Sequence, residues 1–353
     1  MKKIAVIGCG KVSLKHFKAI SYLERRKKIK LVAICDSDIK KMNSLNLSKS
    51  VKKYNSISKL IKKENFDIVS ILTPSGHHYK NVIQCVGNAK TIIIEKPIAL
   101  RVSNAKKMIS ICKKKKVNLY VVLQNRFNPA VLFAREIIKK KKIGKIFLTT
   151  VRLRWSRNEK YFNLAKWRGT WRYDGGVIAN QCSHHIDLLQ WISGMPKSVI
   201  AKTINAHDIK IKVEDTAVSI LKYKDKNKLG LIEATVATRP CDLEGSISIL
   251  GKNGSIVLDG FNASKINTFK LNNISKVQEK KFLKKINKIN SLKVNGHLNF
   301  YSNIISHNKL KEKILSKYEG ISSLKIINAI YKSSFKSKEI LLTENLNSKL
   351  GFN

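Results

Sequence analysis

The chain has 353 residues, of which 43% are hydrophobic and 26% are charged; such fractions are ordinary for globular proteins and exclude a disordered chain. The length predicts two domains, because a domain typically spans about 100–200 residues. The formal charge of +47, from 70 basic and 23 acidic residues, suggests a polyanionic partner at first sight.

The basic excess is mainly lysine, since 59 of the basic residues are lysine and 11 are arginine. Lysine, isoleucine and asparagine share A/T-rich codons, so the composition indicates a drift in base content. The lysines are scattered along the chain, without the aromatic motif of RNA-binding domains or the spacing of zinc fingers. We therefore predict no nucleic-acid partner; a nucleic-acid-binding protein stays an alternative that the charge alone supports.

No apolar run approaches the roughly 18–20 residues that a membrane span requires. Gly8, Gly10 and Lys11 interrupt the N-terminal segment before it could serve as a signal peptide. The six cysteines include no CxxC pair and lie mostly in apolar segments, which is typical of buried thiols in a reducing compartment. We expect a cytoplasmic protein without a membrane partner.

The first part of the chain alternates apolar runs with helical patterns. Strands are predicted near residues 3–8, 30–35, 66–72, 90–94 and 117–123, and helices near 13–25, 38–46, 76–88 and 102–116. Continuous apolar strands that alternate with helices are typical of a parallel sheet covered on both faces. Residues 1–124 are therefore predicted to form an α/β domain.

The pattern changes after residue 125. A helix near 128–140 precedes long β-rich stretches, and two further helices are predicted; the stretches are 145–155, 198–206, 213–223, 228–238 and 245–258, and the helices are 183–193 and about 319–332. Residues 261–295 are poorly patterned. We predict an α+β domain over 125–353 with an open, mostly antiparallel sheet. An open sheet face favours packing against a second copy, so we expect a homodimer or homotetramer.

A glycine motif follows the first strand and opens the first helix. Gly8, Gly10 and Ser13 read as GxGxxG with serine in the last place, and Asp36 ends the next strand, 23 residues after Ser13. This context predicts a dinucleotide site in a Rossmann domain, where an acidic residue binds the ribose hydroxyls and disfavours NADP. The alternative is a tight turn with a helix-capping Asp. The predicted contacts to NAD here are Gly8, Gly10, Lys11, Val12, Asp36 and Ser37.

Two later strands end in short polar motifs, Thr73-Pro74 and Glu95-Lys96-Pro97. Ligands of such sheets bind at the carboxyl ends of the strands, so Lys96 is predicted to point into the cofactor crevice. The alternative for Lys96 is one more surface lysine. His78 begins a helix beside this crevice and is predicted to contact nicotinamide, with helix capping as its alternative.

Arginine is unevenly placed, because five of the eleven lie between residues 152 and 172. In a chain that drifts toward lysine, retained arginine indicates a need for the planar fork that grips carboxylate or phosphate. Salt bridges on an exposed strand explain any one of these arginines equally well.

The ordered motifs resemble those of the Gfo/Idh/MocA oxidoreductases, nearly end to end. Beyond the glycine and strand-end motifs, the similarity covers 124–129 (QNRFNP), 167–171 (WRGTW), 174–189 (DGGVIANQCSHHIDLL), 319–320 and 323–333, and it is weak over 261–295. The resemblance implies a Rossmann domain, an open-sheet domain and NAD(P)-linked oxidation of a sugar or cyclitol hydroxyl. It also implies that Lys96 and His184 are catalytic and that Asn180 takes the place where many members have Asp. The Asn form is similar to the branch that oxidises C3 of UDP-N-acetylglucosaminuronic acid.

The motifs extend the predicted contacts beyond the first helix. Further cofactor contacts are expected from Thr73, Pro74, His78, Glu95, Lys96, Gln124, Trp167 and Arg168. Substrate contacts are expected from Lys96, Arg126, Arg154, Arg168, Asn180 and His184.

Oxidation of a secondary alcohol needs a proton acceptor and a hydride acceptor. His184 can take the proton near neutral pH, the Lys96 ammonium can stabilise the developing alkoxide, and Asn180 can orient the hydroxyl. Asp187, three residues after His184 on a predicted helix, is expected to orient that ring. Cys182, His184, His185 and Asp187 also suggest a metal, but adjacent histidines point to different faces of a helix, so we predict none.

The leading prediction is an NAD-dependent dehydrogenase of a sugar or nucleotide sugar in surface-glycan synthesis. A neutral sugar or inositol dehydrogenase is the nearest alternative. A non-catalytic NAD-binding regulator is an alternative from another class, which would bind NAD without turnover.

Overall fold

The computed structural model describes residues 1–207, 209, 211–291, 295–305 and 314–352. The chain forms two compact units. The first comprises Met1–Ala99, Ser103–Gln124 and Asn295–Ile321; the second comprises Leu100–Val102, Asn125–Val294 and Ser322–Asn353. This division differs from the single boundary after residue 124 that the sequence suggests, because a late segment returns to the first unit.

The first unit contains a six-stranded parallel sheet in the order β3-β2-β1-β4-β5-β6. Its elements along the chain are β1 (Lys2–Ile7), α1 (Ser13–Arg25), β2 (Ile29–Cys35), α2 (Ile39–Asn43), β3 (Lys52–Tyr54), α3 (Ile57–Lys63), β4 (Ile68–Ile71), α4 (His78–Cys85), β5 (Thr91–Ile94), α5 (Val102–Lys114) and β6 (Asn118–Val121). The predicted parallel α/β sheet is confirmed.

The central strands of this sheet are buried on both faces. Ile4, Ala5 and Val6 of β1 are all fully buried, as are Ile92 and Ile93 of β5. Burial on both faces explains why these strands read as continuous apolar runs rather than as alternating patterns. The edge strand β3 and the helix α3 escape the sequence analysis, because β3 is three residues long and mostly exposed, as edge strands often are.

The second unit contains an eight-stranded sheet in the order β13-β12-β11-β7-β10-β9-β8-β14. The remaining elements along the chain are α6 (Pro129–Lys139), β7 (Ile146–Arg154), α7 (Glu159–Asn163), α8 (Ser183–Ser193), β8 (Ser198–Ile204), β9 (Thr216–Lys222), β10 (Leu229–Thr235), β11 (Glu244–Gly251), β12 (Gly254–Asp259), β13 (Lys265–Leu271), α9 (Lys276–Ser291), α10 (Gly296–Ile305), α11 (Ile321–Lys336) and β14 (Ile340–Leu341). All paired neighbours are antiparallel except β7 and β10. The predicted open, mostly antiparallel sheet is confirmed.

The structure adds detail in two stretches of this half. The predicted β-rich stretch 245–258 is a hairpin of β11 and β12, with Gly251 paired to Gly254 across a short turn. The poorly patterned region 261–295 contains β13 and α9, which contact each other through Phe269 and Phe282, whose ring centroids are 5.9 Å apart. Lysine and asparagine residues on the exposed side of α9 weaken the helical spacing of its apolar residues, so the sequence pattern does not predict this helix. Within the described part of the chain, no helix combines the length and apolarity needed to cross a bilayer.

Candidate functional site

The turn between β1 and α1 has the geometry that a dinucleotide phosphate requires. Gly8 has a φ of +100°, and a Cβ there would lie 2.8 Å from the carbonyl carbon of Leu72, so only glycine fits. A Cβ on Gly10 would meet no atom within 4 Å, so this side of the turn is open to a ligand. In such turns the N-terminus of the following helix binds phosphate.

Ser13 takes the place of the third glycine in this motif. Its side chain is fully buried, and its hydroxyl donates to the carbonyl oxygen of Gly10 at 2.6 Å. The backbone N–H of Ser13 donates to the same carbonyl at 2.9 Å. A short side chain that bonds back into the turn preserves the close approach of helix and sheet that glycine usually provides.

Asp36 is anchored to the glycine turn. Its Oδ2 accepts the backbone N–H of Cys9 at 2.7 Å, and its Oδ1 accepts that of Asp38 at 2.9 Å. Burial, with the nearby charge of Asp36, raises the pKa of Cys9 to about 12, so this thiol stays protonated. A carboxylate fixed here can accept the ribose hydroxyls of NAD and repels a 2′-phosphate, so the residues present fit NAD. Lys11 and Ser37 are exposed beside them.

His78 joins the ends of two strands of the first unit. Its ring is fully buried, with Nε2 2.9 Å from the carbonyl oxygen of Thr73 and Nδ1 2.9 Å from that of Pro97. Burial lowers the pKa of His78, although the hydrogen bonds to the two carbonyls act in the opposite direction. Asn81 donates to the Thr73 hydroxyl at 2.9 Å. The structure thus gives His78 a bracing role under the strand ends, and its contact to nicotinamide stays a prediction.

Glu95 lies at the centre of a buried hydrogen-bond network. His16 Nε2 is 2.9 Å from its Oε1, and the backbone N–H of Lys96 donates to its Oε2 at 3.0 Å. His16 Nδ1 lies 2.8 Å from the Tyr301 hydroxyl, which lies 2.7 Å from the Ser70 hydroxyl. Burial acts to raise the pKa of Glu95, but the hydrogen bond and charge of His16 outweigh it and lower this pKa to about 2. Glu95 is therefore ionised and lies beneath Lys96 rather than at the cofactor.

The helix α10 brings a second histidine to this network. His297 Nε2 lies 3.9 Å from Glu95 Oε1, and its ring meets that of His16 edge-on, with centroids 4.8 Å apart. Burial, with His16 nearby, lowers the pKa of His297 to about 4, so this ring is neutral. His16, Glu95 and His297 together bring three potential metal-ligand atoms within 4.8 Å of one another.

In the second unit, Asn180 and His184 flank the start of α8 as predicted from the motif. Asn180 Nδ2 donates to Asp174 Oδ1 at 2.5 Å, and Asp174 Oδ2 accepts the backbone N–H of Gly169 at 3.1 Å. Asp174 is buried, whereas Asn180 and His184 are half-buried. The amide of Asn180 is therefore oriented by a buried carboxylate, while its neighbour His184 keeps part of its ring accessible.

A buried carboxyl lies against the glycine pair that precedes this helix. A Cβ on Gly176 would lie 2.2 Å from Oε2 of Glu214, so glycine is required there. Glu214 Oε1 accepts the backbone N–H of Ile178 at 3.1 Å and the Tyr331 hydroxyl at 2.8 Å. The Tyr331 hydroxyl in turn accepts the N–H groups of Gly176 and Ala179, each at 3.2 Å. Burial raises the pKa of Glu214 to about 8, so a neutral carboxyl fixes the loop before α8.

Arg126 forms an ion pair with Asp187 that is almost wholly buried. Its Nε and Nη2 each donate to the carboxylate at 2.8 Å, and both side chains are 3% exposed. Asp187 therefore ties α8 to Arg126, and its role in orienting His184 stays a prediction. The fork of Arg126 thus binds a protein carboxylate, and its contact to the substrate stays a prediction.

The other arginines differ in the partners they have. Arg154 donates through Nε and Nη2 to Glu233, at 2.6 and 2.9 Å, and its Nη1 lies 3.3 Å from Glu244. Arg154 is thus held within the sheet by two carboxylates, and its contact to the substrate stays a prediction. Arg168 instead donates from Nη1 to the Tyr161 hydroxyl at 2.7 Å, and its Nε is buried without a hydrogen-bond partner.

Of the remaining predicted cofactor contacts, Val12 and Pro74 are half-buried. Gln124 begins a short 3₁₀ turn at the end of the first unit, and Trp167 lies beneath the Arg168 guanidinium, 4.6 Å from ring centroid to Cζ. These placements leave their contacts to a cofactor as predictions.

Several buried residues that hold the candidate site in place are not predicted from the sequence. Among them are His16, Tyr301, Glu214 and Tyr331. One signal was available: His16 lies on the buried side of α1, next to Phe17. A polar residue on an apolar helix face needs a buried partner, which the sequence does not identify.

The fold and the glycine turn define a dinucleotide-binding protein with a second, open-sheet domain. Residues 2–123 match the family model GFO_IDH_MocA, described as "Oxidoreductase family, NAD-binding Rossmann fold". Residues 135–342 match GFO_IDH_MocA_C, "Oxidoreductase family, C-terminal alpha/beta domain". The chain belongs to the Gfo/Idh/MocA family of oxidoreductases, and its predicted cofactor, NAD, is confirmed.

Solved structures and curated relatives agree with this family. The WlbA dehydrogenase from Bordetella pertussis, crystallised with NADH and UDP-GlcNAcA, is 32% identical with a TM-score of 0.89, covering 97% of this chain and 98% of that chain. The WlbA dehydrogenase from Chromobacterium violaceum, with the same two ligands, is 30% identical with a TM-score of 0.87, covering 96% and 95%. The myo-inositol 2-dehydrogenase of Thermotoga maritima is 24% identical over 73% of this chain and 75% of its own length.

Proposed function

We propose that this protein is an NAD-dependent dehydrogenase that oxidises a secondary hydroxyl of a nucleotide sugar, namely C3 of a UDP-sugar uronate, in surface-glycan synthesis. The observation that carries the proposal is the likeness to two dehydrogenases crystallised with NADH and UDP-GlcNAcA, which extends over at least 96% of this chain. Asn180, in place of the Asp of many family members, supports the same branch.

Each unit has a separate part in the proposed reaction. The first unit binds NAD, whose nicotinamide accepts the hydride when bound. In the first unit Lys96, as an ammonium, stabilises the charge that develops on the substrate oxygen. In the second unit His184 accepts the hydroxyl proton, and Asn180, fixed by Asp174, orients the hydroxyl.

Arg168 is the arginine that we propose for the acidic group of the substrate. Its guanidinium lies over the rings of Tyr161 and Trp167, with Cζ 4.4 and 4.6 Å from their centroids. Gln181 also donates to the Tyr161 hydroxyl, at 3.1 Å, so the ring beneath the guanidinium is itself held. A guanidinium that stacks on aromatic rings can still bind a carboxylate or phosphate through the N–H groups that Tyr161 does not occupy.

We also propose that two copies of the chain pack through the open face of the eight-stranded sheet. Ile200, Ile220 and Leu231 lie opposite one another on three neighbouring strands, and Ile200 and Ile220 are 37% and 44% exposed. Val218, one row away, is 47% exposed. An apolar row in the middle of a sheet fits an isologous interface. Light scattering should show a dimer or tetramer for the wild type and a monomer for Ile220→Lys.

The proposed function is tested by the purified protein itself. Its absorbance spectrum is recorded first, and mass spectrometry then identifies what it releases on denaturation. NADH formation is next followed with a UDP-sugar uronate, a neutral UDP-sugar, free sugars and myo-inositol. Turnover of the uronate alone supports the proposal. Turnover of myo-inositol or a free sugar would overturn the substrate class, and NAD binding without turnover of any alcohol would make the protein a non-catalytic binder.

A further inference from the structure

The buried network around Glu95 has a part in the reaction that the proposed function leaves unassigned. Glu95 directly precedes Lys96, and its carboxylate folds back to accept the Lys96 backbone N–H. His16 holds the other carboxylate oxygen. Because an ionised carboxylate only accepts hydrogen bonds, His16 donates to it from Nε2, while Nδ1 of the same ring shares a hydrogen bond with the Tyr301 hydroxyl.

The elements that supply this network are far apart in sequence. His16 lies on α1, directly after the dinucleotide turn, whereas Tyr301 and His297 lie on α10. Tyr301 is fully buried and also contacts Ser70 on β4, so the hydroxyl is fixed from two sides. The helix α10, which belongs to the first unit, thus joins α1 and β4 through the Tyr301 hydroxyl.

We propose that His16 and Tyr301 are positioning residues for Lys96: together they hold Glu95 so that its carboxylate fixes the Lys96 backbone, and His297 closes the network on its far side. The proposal rests on the proposed function through the catalytic role of Lys96. The charged and titratable groups that face Glu95 are His16 from α1, His297 and Tyr301 from α10, and Lys96 itself. Misplacement of a reacting group by about 1 Å costs roughly 100-fold in rate, so such a support affects kcat.

Two substitutions of His16 separate the halves of its role. Glutamine places an amide nitrogen near the position of Nε2, so His16→Gln keeps the donor to Glu95. Asparagine reaches only as far as Nδ1, so His16→Asn keeps the contact to Tyr301 and loses the donor to Glu95. Both variants replace the buried ring with a smaller side chain. If His16 had only a structural role, both variants would therefore lose the same amount of activity.

We expect His16→Asn to lower kcat by about 10- to 100-fold with little change in NAD affinity, and His16→Gln to retain most of the activity. Asn299→Ala, an exposed change on the same helix α10, serves as the control and should behave as the wild type. Tyr301→Phe removes only the hydroxyl and should act in the direction of His16→Asn, with a smaller loss. It keeps the proposal testable if His16→Asn does not fold.

A second readout needs no substrate. With ¹³C-carbonyl glutamate and ¹⁵N-lysine, only the amides of the four Glu-Lys pairs in the sequence give correlated NMR signals, and Lys96→Met identifies the signal of Lys96 by its loss. In the wild type and in His16→Gln this amide should stay constant from pH 8 to pH 5, because both keep the hydrogen bond to Glu95, which is the largest of the causes that lower its pKa. In His16→Asn the pKa of Glu95 loses its main lowering influence, so the amide should titrate within that range.

The outcomes are distinct. An amide that titrates in His16→Asn but not in His16→Gln supports the proposal even if no nucleotide sugar is turned over, in which case only the proposed function fails. Equal kcat losses with an unmoved amide in both variants would overturn the positioning role. Stoichiometric zinc in the purified protein, lost with chelator, would also overturn it, because His16 and Glu95 would then be metal ligands, together with His297, rather than hydrogen-bond partners of each other.

Discussion

The two units support their proposed catalytic residues with buried carboxyl groups in opposite states. In the first, Glu95 is ionised, since His16 lowers its pKa to about 2 against the effect of burial. In the second, Glu214 is neutral, since burial raises its pKa to about 8 and a tyrosine hydroxyl is its side-chain partner. A buried carboxylate with a histidine partner stays charged, whereas one among neutral donors keeps its proton.

The different charge states of Glu95 and Glu214 correspond to the groups that each side chain binds. Glu95 fixes one backbone N–H next to Lys96, and a full negative charge gives the stronger acceptor. Glu214 is pressed against Gly176 and holds the loop before α8 together with Tyr331. Among the described residues no basic side chain pairs with Glu214, so a charge there would lack a counter-ion to offset the cost of desolvation.

The largest expected effect tests whether the chemistry depends on the first unit. Lys96→Met keeps the length of the side chain and removes its charge, so turnover should fall by about 1,000-fold or more, because electrostatic stabilisation of the developing alkoxide is lost. NAD affinity, measured by fluorescence titration, should stay close to that of the wild type. Normal turnover in this variant would remove Lys96 from the mechanism and leave Glu95 without a catalytic residue to position.

A second prediction concerns stability in the second unit, where α8 is tied by the buried pair of Arg126 and Asp187. Asp187→Ala leaves the guanidinium buried without this counter-ion, so we expect a loss of about 3–5 kcal/mol in the free energy of unfolding, measured in urea. Glu233→Ala, which breaks the partly exposed pair with Arg154, is the control and should cost about 1 kcal/mol or less. Equal losses would show that α8 does not depend on the buried pair.

A third prediction uses the opposite states of the two carboxyls. Glu214 binds its proton more tightly folded than unfolded, so between about pH 4.5 and 8 the folded state carries more protons and stability falls as the pH rises, by at most about 1.4 kcal/mol per pH unit. Glu95 has the opposite sign: its contribution is complete above about pH 4.5 and is lost as the pH falls toward 2.

Glu214→Gln resembles the protonated side chain and should therefore remove the Glu214 contribution. We therefore expect the free energy of unfolding of the variant, minus that of the wild type, to be larger at pH 7.5 than at pH 5.5. Urea denaturation at the two pH values measures this difference. Glu159→Gln, an exposed change on α7, is the matched control and should show no such difference. A Glu214→Gln variant with the same stability difference at both pH values would show that Glu214 is ionised in the folded protein.

The comparison also shows which features the sequence makes visible. The central strands, the glycine turn and the motif with Asn180 and His184 are predictable, because continuous apolar runs and local spacing determine them. The partners of buried polar groups are not local. Asp187 lies three residues from His184, yet it pairs with Arg126, 61 positions away, and His16 meets Tyr301 across 285 positions.

Arginine shows the same limit. The cluster between 152 and 172 suggested forks reserved for a ligand, but Arg154 binds Glu233 on the adjacent strand β10. The sequence does not reveal that β7 and β10 pair in parallel with these two residues on neighbouring rungs. The register of the sheet therefore decides which arginines pair with a carboxylate of the protein and which can bind a ligand. This register is known only from the folded sheet.

The smallest predicted effect concerns cofactor choice in the first unit. Asp36→Ala removes the carboxylate that Cys9 and Asp38 fix at the glycine turn, so the preference for NAD over NADP should fall by about 10-fold, as expected for one lost pair of hydrogen bonds and one lost repulsion. Asp38→Asn keeps a side-chain oxygen able to cap α2 and serves as the control. Titration with both cofactors measures the preference. An unchanged ratio in Asp36→Ala would assign ribose recognition to another residue, and the first unit would then bind NAD through its glycine turn alone.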